Sequence, residues 1–162
     1  MESKELLELM RSRRSIRSYA NKPVPQEYLD TILEAASLAP TSRNRKPCKF
    51  ITVTNRALLE ELAQTKPNTA EFTARAGAAI VATADSSISD IWVEDSSIAL
   101  TYMMLAAEAL GLACCWVQMH HRFNSDGINA EKCVRRILNL PENFRVLAFL
   151  ALGVKETPDA SN

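Results

Sequence analysis

The sequence predicts an α/β or α+β sandwich with helices on both faces of a sheet, and three observations lead there. Four stretches of strand character, at residues 49–54, 78–84, 113–118 and 145–152, are separated by segments of helical periodicity. Some of the intervening connections are too long for hairpins, so the strands are not a simple meander. The chain has 162 residues, 47% hydrophobic and 23% charged, which suits one domain over residues 1–162 with a substantial core.

Each element has its own signal. Residues 3–13 form an amphipathic helix with Leu6, Leu7 and Met10 on one face. Pro23-Val24-Pro25 is an extended entry to a second helix, and Pro25 suits its first position. Leu29, Ile32, Leu33 and Ala36 recur at helical spacing, giving a helix over 26–38 that Pro40 ends. After a polar, basic loop at 41–47, residues 49–54 alternate and are β-branched. Asn55 caps a helix reaching Gln64, with Leu58, Leu59 and Leu62 inward. Residues 66–75 carry little pattern beyond a turn at Pro67-Asn68 and a short helix. Residues 78–84 are a buried strand, and 85–90 a polar loop.

A long helix then runs over 92–110, nearly apolar all round after Asp95, with Gly111 at its C′ position. Such a helix is expected to be buried on most sides, which in a small domain suggests a subunit interface. Residues 113–118 are the next strand, 120–127 a loop, 130–138 a helix and 145–152 the last strand.

Composition removes several function classes. The chain carries 19 basic and 19 acidic residues, so a general binder of nucleic acid or membrane surface is not expected, and any anion site is local. The most apolar run, 96–119, holds Glu108 at its middle and Gly111 a turn later, which argues against a membrane span. The four cysteines form no CxxC pair and the chain opens on a charged helix, so reduced thiols and a cytoplasmic location are expected. Cys114-Cys115 with His120-His121 is not expected to bind metal, since adjacent strand residues point to opposite faces.

The candidate site begins at Arg13-Arg14-Ser15-Ile16-Arg17. Guanidinium forks match phosphate or carboxylate oxygens in pairs, and the serine hydroxyl adds a third donor. On five residues alone, a solvated basic turn is the commoner reading. The wider pattern shifts it. Segment 13–17 followed by Tyr19 and Pro23-Val24-Pro25 resembles the R-R-S-x-R motif of the FMN-dependent nitroreductase family. The run Ala39-Pro40-Thr41-Ser42-Arg43-Asn44, with Pro47 and Phe50, is similar to that family's A-P-S-S-x-N-x-Q-P-W-x-F loop. Glu94-Asp95, Leu105-Ala106-Ala107, Leu110-Gly111-Leu112 and Cys115-Trp116 resemble its central helix and following strand. Leu140-Pro141-Glu142 and Ala151-Leu152-Gly153 are similar to its last helix–strand unit.

The resemblance implies the family's α+β (α/β/α) sandwich, a central mixed or antiparallel sheet of about four strands flanked by helices. It implies FMN in a cleft of a homodimer, NADH or NADPH as electron donor and a small-molecule acceptor. By motif position Arg13 and Ser15 contact the flavin phosphate with Arg14 close by. Arg17 approaches the pyrimidine edge as the catalytic cation. Pro40, Thr41, Ser42, Asn44 and Lys46 line the cofactor from the second subunit, and backbone N–H groups around Gln118 and Met119 meet N5. No metal is implied.

Two departures stand out. Lys46 and Cys48 replace the family's Gln and Trp, so Cys48 leaves packing space. Only Lys155 supplies a cation after Gly153, where the family often continues into a basic arm; Arg43 or Arg45 could compensate. Two function classes stay open. One is an NAD(P)H-dependent flavin oxidoreductase reducing nitroaromatics, quinones or similar acceptors by a ping-pong hydride route. The alternative is a non-catalytic flavin- or anion-binding homologue.

Overall fold

The computed structural model describes residues 3–156. Nine regular elements occur among them: α1 (Ser3–Ser12), α2 (Gln26–Ser37), β1 (Cys48–Val53), α3 (Arg56–Gln64), β2 (Ala78–Asp85), α4 (Trp92–Ala109), β3 (Leu112–Gln118), α5 (Ala130–Ile137) and β4 (Phe144–Val154). Short 3-10 turns at Ser42–Asn44 and Glu71–Arg75 interrupt the loops. Local chemistry sets the ends. Asn55 and Asn129 cap α3 and α5 through their side-chain oxygens, and Gly111 takes φ +74° where α4 stops.

The strands form one sheet in the order β1-β2-β4-β3, with every neighbouring pair antiparallel. Of the mixed or antiparallel sheet that the resemblance implied, the antiparallel form is present, with one parallel bridge among the described residues, between Ser15 and Cys114. β2 and β4 lie inside, buried on both faces, which is why residues 78–84 read as a continuous apolar run. One core layer packs Leu29 and Ile32 of α2 and Leu100 and Met103 of α4 against Ile80, Leu150 and Leu152. The opposite layer packs Leu59 and Leu62 of α3 and Val134 of α5 against Val81 and Phe149. The sandwich is therefore α+β, with helices on both faces.

α4 is not enclosed within the single chain: Ile98, Thr101 and Tyr102 form an exposed stripe, while the polar Asp95 and Ser96 are buried. α1 buries none of its residues; Leu6, Leu7 and Met10 are 39%, 48% and 45% exposed.

Candidate functional site

Segment 13–17 leaves α1 and runs along the outer edge of β3. The Ile16 N–H donates to the Cys114 carbonyl at 3.0 Å. Two glycines hold residues 19–24 against the sheet. A Cβ at Gly153 would lie 2.4 Å from Tyr19 Cδ1, so only glycine leaves room for Tyr19 against β4. Tyr19 in turn donates its hydroxyl to the Ile16 carbonyl at 3.2 Å, and Ala20 N–H bonds the Val154 carbonyl at 3.0 Å. A Cβ at Gly77 would meet the Lys22 carbonyl and Val24 at 3.0 Å. The basic segment is thus fixed by packing on both sides.

Three cations converge on the middle of β3. Burial pushes the Cys115 thiol up, while Arg17, Lys66 and Arg13 pull in the opposite direction, with Arg17 close enough to donate to it. Burial and the nearby Arg122 hold the Lys66 ammonium below its ordinary value, and its Nζ lies 3.5 Å from the Gln118 carbonyl. The Arg17 guanidinium sits 5.8 Å from the Phe72 ring centroid. Arg17 also lines a cavity of about 760 Å³ with Asn68, Thr69, Glu71, Phe72 and Arg75. Arg14 turns away, donating to the backbone carbonyls of Arg11 and Arg13. Neighbouring cysteines face opposite layers: Cys114 joins the α4 side, where burial pushes its thiol up to about 12.

Backbone parity decides what the end of β3 offers. Alternate strand residues aim N–H and C=O to the same side. The Cys114 carbonyl faces segment 13–17, so the Gln118 N–H faces that edge too. Met119 differs: it is fully buried and its N–H donates to the Leu147 carbonyl at 3.0 Å. Met119 therefore fixes the turn and offers no donor. Lys155, at the end of β4, lies 3.4 Å from both oxygens of Glu108, which also accepts from Ser12 Oγ at 3.0 Å. That places the last described cation beside the start of segment 13–17.

Pro40, Thr41, Ser42, Asn44 and Lys46 lie elsewhere, in the loop entering β1. Arg43, Asn44 and Lys46 all adopt φ near +50° to +55°. Non-glycine residues held there cost on the order of 1–3 kcal/mol each, so the surroundings must impose the shape. They do so through buried Asp95, which accepts from Ser42 N–H at 2.8 Å, and through Thr41 Oγ1, which accepts from Lys46 N–H at 3.0 Å. Arg45 is tied to Asp90 at 3.6 Å. Beside this loop, Thr41, Lys46, Cys48, Phe50 and Ala99 line a second cavity of about 460 Å³, the space beside Cys48.

The two groups occupy opposite edges of the sheet. Three interstrand spacings separate β1 from β3, about 14 Å of sheet. Within one chain the two groups therefore stay apart. Residues 66–75 are the part of the site that sequence reasoning missed. Their signal is compositional: Lys66, Asn68, Thr69 and Arg75 in a stretch with no periodicity.

A basic segment along the edge of β3, with a cavity beside Arg17, on an α+β sandwich offers a place for an anionic ligand. The chain belongs to the nitroreductase family, whose model matches residues 10–66 and 63–154. It is 38% identical to the FMN-dependent nitroreductase of Clostridium difficile R20291, with TM-score 0.90 over 96% of this chain and 91% of that one. A Methanothermobacter thermautotrophicus protein whose name combines NADH dehydrogenase and NAD(P)H nitroreductase is 36% identical over 152 residues, 92% of this chain and 76% of its own. The NADPH:FMN oxidoreductase of Vibrio harveyi, solved with NAD+, superposes with TM-score 0.80 at 26% identity, covering 94% of this chain and 69% of that one. The chain is an oxidoreductase of this family.

Proposed function

We propose that the protein is an NAD(P)H-dependent FMN oxidoreductase that works as a homodimer in the cytoplasm and reduces nitroaromatic, quinone or similar acceptors by alternating hydride transfers. One observation carries the reading: Arg13, Ser15, Arg17 and the Gln118 N–H share one edge of β3, beside a cavity of about 760 Å³. These groups fit FMN. Arg13 and Ser15 offer charge-assisted bonds to a terminal phosphate, with Lys155 nearby. Arg17 sets a fixed cation beside the pyrimidine edge, where negative charge grows on reduction. Gln118 offers a backbone donor to the ring, and Lys66 adds a second cation to the same edge. FMN supplies the hydride chemistry when bound, and the protein binds and orients it.

Loop 41–46 of a second copy completes the cleft in this proposal, because its own chain holds it about 14 Å away across the sheet. The exposed apolar stripes of α1 and α4 offer the seat for that copy. The test is anaerobic mixing of the FMN-loaded protein with NADH or NADPH, then with a nitroaromatic or quinone. Bleaching of the flavin followed by its recovery is expected. Bound flavin that neither donor reduces would reject the enzyme reading.

A further inference from the structure

A heavily bonded carboxylate that belongs to neither segment 13–17 nor loop 41–46 lies inside the molecule. Glu131, at the start of α5, is 3% exposed. Its Oε1 accepts from His120 Nδ1 at 2.6 Å and Arg145 Nη2 at 2.9 Å. Its Oε2 accepts from Arg145 Nε at 3.0 Å and the Val146 N–H at 3.2 Å. Burial alone would raise this carboxyl, yet the bonds from Arg145, His120 and Val146 hold it below its ordinary range, so it is ionised and can only accept. The proton on His120 therefore sits on Nδ1. Arg145 Nη2, 3.4 Å from that nitrogen, is also a donor, so that contact is not a hydrogen bond. Trp92 closes the cluster, its ring 4.9 Å from the His120 ring in a T-shaped contact and 4.9 Å from the Arg145 guanidinium.

The chain of bonds continues to the β3 edge. The His120 carbonyl accepts from Gln118 Nε2 at 3.1 Å, and Gln118 Oε1 accepts from Trp116 Nε1 at 2.8 Å. His120 N–H also bonds the Leu147 carbonyl at 2.9 Å. His120 is thus held at ring and backbone, and Gln118 at both ends of its side-chain amide. What Gln118 keeps for a ligand is the backbone N–H on the outer edge. An apolar cluster of equal volume would join α5 to β4 without desolvating an ion. The four directed bonds add orientation.

We propose that Glu131 is a positioning residue, acting through the His120 ring to fix the Gln118 backbone donor against the flavin ring. The proposal rests on the reading of the protein as an FMN oxidoreductase. A donor displaced by about 1 Å costs on the order of a hundredfold in rate, and a loosened one costs part of that.

The test compares FMN-loaded wild type with Glu131→Gln and His120→Gln. Anaerobic stopped-flow reduction by NADH or NADPH, the flavin midpoint potential and FMN affinity are measured below each variant's melting temperature. The expected result is a fall in the limiting reduction rate of about tenfold or more, with a shifted potential and FMN affinity within about threefold of wild type. A lower melting temperature with wild-type reduction rate and potential would mean the cluster only stabilises the fold, and would overturn the proposal. So would variants like wild type in every respect. If Glu131→Gln does not fold, the same two outcomes in His120→Gln decide. If wild type itself binds no FMN, the oxidoreductase reading fails first, and the two failures are distinct.

Discussion

Replacing Gly153 with alanine tests how the fold holds its basic edge. The new Cβ would lie 2.4, 2.6 and 2.8 Å from Tyr19 Cδ1, Cγ and Cβ, where ordinary contact begins at 3.4 Å. The ring must therefore retreat by about 1 Å from a site where it is only 7% exposed. Overpacking of this kind costs about 1–3 kcal/mol. For a domain of this size that is a fall in Tm of about 2–12 °C. Movement of Tyr19 also loosens its bond to the Ile16 carbonyl, and with it segment 13–17. Loss of one charge-assisted phosphate bond is worth about 1.5–3 kcal/mol, or one to two decades in FMN affinity. Scanning calorimetry and a fluorescence titration with FMN measure both effects. Gly111→Ala is the control: its φ is +74° with nothing within 4 Å, so it should lose about 1–2 kcal/mol of stability and keep its FMN affinity. Unchanged Tm and affinity in Gly153→Ala would refute the clamp, and equal affinity losses in both variants would refute its specificity.

The same geometry gives four further outcomes. Arg17→Ala should lower the flavin midpoint potential and slow reduction, whereas Arg13→Ala should mainly weaken FMN retention; identical effects on affinity alone would contradict the separate roles. Lys155→Ala should weaken FMN binding by about tenfold if its ammonium leaves Glu108 for the phosphate, and calorimetric titration reads this directly. Glu131 titrates below its ordinary 4.5 in the folded state, so its contribution is complete above that value and is lost as pH falls through the lower folded one. Acid unfolding of Glu131→Gln should lack this component. Ile98→Glu should give monomers by sedimentation and lose FMN with them; a monomer that keeps its flavin would remove the shared cleft.

Much of the fold is legible in the sequence because its signals are local. Periodicity locates α2, capping by Asn55 locates α3, and Gly111 marks the end of α4, each within two residues of the structure. Pairing order is not legible, because which strand lies beside which is set by burial of whole faces. That order places the 13–17 edge and loop 41–46 on opposite sides of the sheet. The long helix reads as apolar nearly all round, and sequence cannot separate its core face from the exposed Ile98 and Tyr102. Residues 66–75 give no periodic signal because a 3-10 turn and loop present side chains to a cavity without an amphipathic repeat. Glu131 looks like an ordinary first-turn helix charge. Only the approach of Arg145 and His120 from distant segments makes it a buried hub.

The central claim is that the β3 edge of one subunit and loop 41–46 of the other enclose one reducible FMN. The most direct measurement is an anaerobic titration of the FMN-reconstituted protein with NADH or NADPH, with sedimentation run on the same sample. The prediction is a dimer carrying equimolar FMN whose visible band bleaches with one equivalent of donor and returns on addition of a nitroaromatic or quinone. A stable monomer that binds and turns over FMN, or a dimer that takes up no flavin, would contradict it.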